Sequence, residues 1–199
     1  MSSSLSETPL SLSDVEKLQA LYPDYRIELR EGKLILMSPS DGISGAVGSR
    51  FSILLGTWVY KQNIGEVLDA STGFRLPNGD ILSPDASFVS YDRLEEIPRT
   101  YLSVAPELIV EIKSSWDRVR ELEDKIILFL SQGVQVGILV DPDKRTVSLY
   151  RPTDQKDAES GEIIPQKTIL GDGETLSIPD LFPGLEIPIT NLWPPVKKK

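Results

Sequence analysis

The spacing of hydrophobic positions changes several times along this chain, and each change marks an element. Arg26-Ile-Glu-Leu-Arg alternates, and Lys33-Leu-Ile-Leu-Met is mostly apolar, with Glu31-Gly32 between them. Two such runs around a short turn predict a β-hairpin. From about Ser44 to Gln62, the residues Val47, Phe51, Leu54, Leu55, Trp58 and Val59 recur at helical spacing and predict a long amphipathic helix. Gly45, Gly48 and Gly56 lower its helical propensity, but small residues also permit close packing on a sheet. A second stripe, Val119, Leu122, Ile126, Phe129 and Leu130, predicts a helix over 117–132 with Gly133 as its stop. Ser13 with Glu16 three positions later reads as a capping box that opens a short helix ending near Leu21.

The other apolar runs have strand length. Runs 66–70 and 72–76 are followed by the turn Pro77-Asn-Gly-Asp, and 81–89 reads as one strand interrupted by Pro84. Run 107–113 is mostly apolar and predicts a central strand. Run 135–140 predicts another, joined through Asp141-Pro-Asp-Lys to an antiparallel partner at 146–151. Residues 152–161 are polar and loop-like, and the rest holds short strands punctuated by Pro and Gly. No internal repeat is evident. A helix inserted among mixed strands indicates an α/β (α+β) fold, with a mixed sheet and flanking helices. The expected organisation is a flexible Ser-rich segment 1–12, a single domain 13–193 and a tail 194–199. The closing Lys197-Lys198-Lys199 reads as a solvated end rather than a nucleic-acid arm.

Composition narrows the chemistry. The chain has no His and no Cys, which removes imidazole bases, thiol nucleophiles, and zinc or iron sites built on them. An enzyme here must work with carboxylates, lysine, hydroxyls and a hard cation. The net charge of -9 argues against broad non-specific nucleic-acid binding. It does not exclude a nuclease, whose acidic site is neutralised by its metal. No apolar run has the ~20 residues needed to cross a bilayer. Residues 1–9 lack the basic and apolar regions of a signal peptide. A cytoplasmic location is the expectation.

One constellation fits that chemistry. Residues two apart on a strand share a face, so Glu111 and Lys113 should lie together, with Val110 and Ile112 on the other face. An isolated Glu-x-Lys is more often a strand end at which both residues reach water. Asp85, after Ser83-Pro84 in the preceding strand, changes that balance, because it could stand beside Glu111. Two carboxylates at adjacent strand ends can bind one Mg²⁺, and a lysine near them can orient water or stabilise charge on phosphate. For Asp85 alone, a turn-forming Asp after Pro is an equal alternative.

These stretches resemble the PD-(D/E)XK nuclease superfamily and, within it, the Uma family of "putative restriction endonucleases". The resemblance spans about Tyr25 to Leu192. Arg26-Ile-Glu-Leu-Arg-Glu-Gly-Lys-Leu is similar to the family's opening hairpin, with Glu28 and Gly32 on its typical Glu and Gly. Gly73 to Val89 resembles the segment that carries the first metal-binding Asp, here Asp85. Pro106-Glu-Leu-Ile-Val-Glu-Ile-Lys-Ser-Ser resembles the second motif. The resemblance implies a restriction-endonuclease-like fold and Mg²⁺, or Mn²⁺ in its place, held by Asp85, Glu111 and the carbonyl of Ile112. Lys113 would be the catalytic lysine.

The chain also has Lys125 where the family usually has a helical lysine, so either lysine could act. A surface pairing of Lys125 with Glu121 is an equal alternative. Glu121 stands where Asp is more usual, and Ser44 stands near the family's usual histidine. The leading reading is a Mg²⁺-dependent endonuclease with DNA as substrate. The alternatives are a non-catalytic binding or regulatory module on the same fold, and an oligomeric protein, such as a homodimer anchored by Trp58, Trp116 or Trp193.

Overall fold

A computed structural model describes residues 10–37, 39–94 and 96–195. The expected C-terminal lysines and most of the Ser-rich start lie outside them. The chain runs α1 (Leu12–Leu21), β1 (Arg26–Arg30), β2 (Lys33–Met37), α2 (Gly42–Gln62), β3 (Gly65–Asp69), β4 (Phe74–Arg75), β5 (Ile81–Leu82), β6 (Ala86–Ser90), β7 (Leu108–Ile112), α3 (Val119–Ser131), β8 (Val136–Asp141), β9 (Thr146–Arg151), β10 (Gln166–Leu170), β11 (Thr175–Ser177) and β12 (Glu186–Pro188). A 3₁₀ turn at Ile189–Leu192 follows.

The central sheet has six strands in the order β10-β9-β8-β7-β6-β3. Only β7 and β8 pair in parallel, because α3 carries the chain back between them. A four-stranded sheet, β2-β1-β5-β4, and a ribbon of β11 and β12 complete the fold. The mixed α+β class expected from the patterning is therefore present.

Strand β7 shows how alternation sorts the layers. Val110 and Ile112 pack with Val47, Phe51, Leu55 and Val59 of α2. Ile109 packs with Ile126, Phe129 and Leu130 of α3. The sheet is thus buried on both faces, as its near-continuous apolar strands require. Of the four glycines in α2, Gly48 is the one pressed on the sheet: a Cβ there would lie 3.1 Å from Cδ1 of Ile112. On the opposite face, a Cβ on Gly137 of β8 would lie 2.4 Å from Cγ2 of the buried Ile126. Gly137→Ala should therefore force α3 off the sheet and cost about 1–3 kcal/mol, read as a shift in the urea unfolding midpoint.

Helix ends follow the sequence with two adjustments. The cap of α1 is Ser11, not Ser13. The Asp14 carboxylate accepts hydrogen bonds from the Ser11 N–H (2.9 Å) and hydroxyl (2.6 Å), so the acid three residues on closes the box two residues earlier than Ser13-Glu16 suggested. Helix α2 begins at Gly42 because Asp41 accepts from the N–H groups of Ile43 and Ser44. Gly133 ends α3 as expected. Its φ of +102° suits glycine, and the N–H groups of Gly133 and Val134 bond back to Leu130 and Phe129.

The expected single strand over 81–89 is corrected. It is two strands in different sheets, β5 in the four-stranded sheet and β6 in the six-stranded one. Ser83-Pro84-Asp85 is the step between them, and a proline suits that step because no ladder donor is needed there. This step carries Asp85 from one sheet to the other and so shapes the candidate site.

Candidate active site

The site lies where the two sheets meet α3. Strand β1 is internal to its sheet, and Ile27, Glu28 and Leu29 are all buried. Ile27 and Leu29 pack with Val15 and Ile81, while Glu28 reaches Lys125. Oε1 of Glu28 accepts from the Ser83 N–H at 2.9 Å and from Nζ of Lys125 at 2.8 Å. The same ammonium donates to the Ser83 carbonyl at 3.0 Å and stands 3.0 Å from Oε1 of Glu111. That contact is an ion pair without hydrogen-bond alignment, and Oε1 of Glu111 has no hydrogen-bond partner.

Asp85 is held differently. The β6–β7 ladder stops at the Ala86–Val110 pair, and the N–H of Ile112 goes to Oδ2 of Asp85 at 2.7 Å. Asp85, Glu111, Ile112, Lys125 and Glu28 line one cavity of about 290 Å³. A larger groove of about 700 Å³ lies between α1 and the 97–102 segment, but it lacks this set of buried acids and lysine. The chemistry, not the volume, marks the smaller cavity as the site.

Lys113 is not brought to Glu111. Its Nζ bonds Asp143 of the β8–β9 turn at 2.7 Å and the Ser114 carbonyl at 3.1 Å. The shared strand face therefore does not bring the two head groups together in this structure. Lys113 follows the last residue of β7, and its flexible stem lets the nearby turn carboxylate capture the head. Lys125 is likewise not the surface partner of Glu121. It is only 6% exposed, and Glu121 pairs with Arg118 instead.

Charge in the cluster is unevenly shared. Burial pushes the Glu111 carboxyl up to about 8. Lys125 opposes this, whereas Asp85 and Glu28 reinforce it. Burial also raises Asp85, partly offset by the Ile112 N–H, Lys125 and Arg26. For Lys125, burial alone would lower the value, but Glu111 and Glu28 outweigh it and hold the ammonium above the ordinary lysine range. Three acids face one ammonium, so the protein groups leave the cluster short of positive charge. Glu111 is the carboxyl pushed furthest toward its protonated form.

Those features fit a hard cation. The unpartnered buried oxygen of Glu111, Asp85 in the same cavity and the main-chain carbonyl of Ile112 offer oxygen donors of the required kind. Among the described residues, no group of three or more His, Cys, Asp or Glu is arranged to hold a metal. A cation bound by two carboxylates and a carbonyl would complete its shell with water or phosphate oxygens.

Two contributors were missed in the sequence. Glu28 had no assigned role, although its signal was present as an acid inside a strand with apolar neighbours. Arg26 donates to the Ala70 carbonyl at 2.7 Å, lines the cavity, and has a buried Nε without a partner. Ser44 ties the start of α2 to the end of β7 through a 3.1 Å bond to the Lys113 carbonyl.

The fold and the cluster define a mixed α+β protein with a buried carboxylate–lysine centre. Residues 12–190 match the profile of the Uma2 family, described as "Putative restriction endonuclease", and the chain belongs to that family. A solved structure of similar fold is a "putative nuclease belonging to DUF820" from Anabaena variabilis ATCC 29413. It is 23% identical, with a TM-score of 0.75 over 92% of this chain and 97% of that one. No curated protein matches the chain. Among the described residues, no helix is long and apolar enough to cross a membrane.

Proposed function

We propose that this chain is a metal-dependent endonuclease that hydrolyses phosphodiester bonds in DNA. The observation that carries the reading is the buried Glu28–Lys125–Glu111 cluster beside Asp85, in a cavity open to a substrate phosphate. Asp85, Glu111 and the Ile112 carbonyl would hold Mg²⁺, or Mn²⁺ in its place. When bound, the ion lowers the pKa of a coordinated water and neutralises phosphate charge. Lys125 is the amine at the reacting centre, where it stabilises developing negative charge. Glu28 is its positioning residue: with the Ser83 carbonyl, it fixes the ammonium toward Glu111. The Ile112 N–H in turn holds the Asp85 carboxylate against the end of β7.

This reading separates the two lysines. Lys113 is satisfied by Asp143 and is not among the residues lining the cavity. In a supercoiled-plasmid assay, wild type should nick with Mg²⁺ or Mn²⁺ and not with EDTA. Lys113→Ala should keep activity within about threefold, because only a contact near the surface is lost. Activity that disappears in Lys113→Ala while the protein stays folded would return the catalytic role to Lys113. No cleavage by wild type with either metal, on double- or single-stranded DNA, would refute the endonuclease reading.

A further inference from the structure

The cavity has a lining that its acidic floor does not explain. Trp116 is 76% exposed, more than any other large hydrophobic side chain among the described residues, and it lines the cavity with Asp85, Glu111 and Lys125. Tryptophan is usually well buried, so this exposure calls for a physical reason. The segment that carries it, between β7 and α3, is tightly bonded. The N–H and hydroxyl of Ser114 donate to Asp117, those of Ser115 donate to Asp41, and the Trp116 N–H donates to Ser114 Oγ. The indole is therefore presented by a preformed loop. Ile35 and Leu36 of the hairpin, 37% and 61% exposed, line the same cavity with Arg30 and Arg118.

Charge limits what such a lining can bind. Tracking a duplex through its phosphates needs a basic footprint, and this chain carries a net charge of -9. Stacking of a base on an aromatic ring needs no such footprint, and it contributes substantially per base. In an intact duplex both faces of a base are covered by its neighbours, so only an unpaired base can lie on the indole.

We propose that Trp116 is a stacking platform for an unpaired base next to the scissile phosphate. The substrate class is then single-stranded or locally unpaired nucleic acid. This rests on the nuclease reading and deepens it. The stacked base would orient the neighbouring phosphate toward Lys125, and Arg30 and Arg118 would flank the strand. Affinity should come largely from stacking, so its salt dependence should be shallow.

The test is fluorescence anisotropy with a short labelled single-stranded DNA and its duplex, using the full chain with Ca²⁺ in place of Mg²⁺. Wild type should prefer the single strand. Trp116→Ala should weaken that binding by roughly tenfold or more, Trp116→Phe should retain most of it, and the thermal midpoint should not move. Single-strand binding should also quench tryptophan fluorescence in wild type and not in Trp116→Ala. Equal binding of both DNA forms by wild type, or unchanged single-strand binding by Trp116→Ala, would overturn the proposal. So would a Trp116→Ala variant that changes only from dimer to monomer, which would make the indole a subunit contact. Plasmid cleavage run in parallel separates the readings: metal-dependent cleavage with no stacking effect sinks the platform alone, whereas stacking without cleavage sinks the nuclease.

Discussion

Replacing Lys125 with Ala should reduce metal-dependent cleavage by at least ~100-fold, the scale seen when one preorganised donor is lost from a reacting centre. It should also destabilise the fold. The ammonium is 6% exposed and neutralises Glu28, which is 2% exposed, while standing 3.0 Å from Glu111. Breaking a buried pair by removing one partner costs about 3–5 kcal/mol, because charge is left buried without compensation. Stability and chemistry can be separated by a second change. Lys125→Met with Glu28→Gln removes both partners of the shorter ion pair, so the double variant should recover much of the stability in urea unfolding while staying inactive. A double variant that regains stability and cleaves DNA would remove Lys125 from the chemistry.

Glu111→Gln should abolish cleavage and, without metal, make the protein more stable at alkaline pH. The sign follows from the protons bound. The Glu111 carboxyl rises from 4.5 to about 8 on folding, so between those values the folded chain holds a proton that the unfolded chain has released. Stability of the wild type must then fall as pH rises through this window. Glutamine cannot ionise, so the variant should lack this contribution to the slope. By pH 9 it should exceed wild type by on the order of 2–4 kcal/mol, less if Lys125 relaxes toward the ionised carboxylate. Adding Mg²⁺ should reverse the order, because a cation that binds only the folded wild type stabilises it by mass action. Melting curves at pH 6 and pH 9, with and without Mg²⁺, give all four comparisons. Parallel pH slopes for the two proteins would show that Glu111 is not the group that holds the proton.

Much of this architecture is written in local pattern. The hairpin β1–β2, the amphipathic helices α2 and α3, and the buried strands β7 and β8 each carry the periodicity of their own secondary structure, which adjacent residues are enough to define. Gly133 required a left-handed turn, and the structure has one there. The boundary errors have local causes too: the Ser11 N–H and hydroxyl donate to the Asp14 carboxylate, and Asp41 accepts from the Ile43 and Ser44 N–H groups, so these residues rather than Ser13 and Ser44 start the helices.

Residues 81–89 show where local pattern stops. Both halves look like strand, and nothing in the sequence says that Pro84 passes the chain from one sheet to another. Lys113 and Lys125 show the same limit for chemistry. Both are lysines near Glu111 by plausible spacing, and their roles depend on which carboxylate lies within reach of each ammonium. Asp143 takes one, and Glu28 with Glu111 takes the other.

By itself, then, the sequence determined most of the elements, the absence of imidazole and thiol chemistry, and the family whose motifs Asp85 and Glu111 resemble. These depend on residue identity and short-range periodicity. Only the tertiary structure decided that Glu28, which lies far from Lys125 along the chain, is its buried partner, that Lys113 lies elsewhere, and that Trp116 lines the cavity. Buried ion pairs are formed between residues distant in sequence, and their strength depends on burial and separation within about 3 Å. Those quantities do not exist until the sheets and α3 have closed around them.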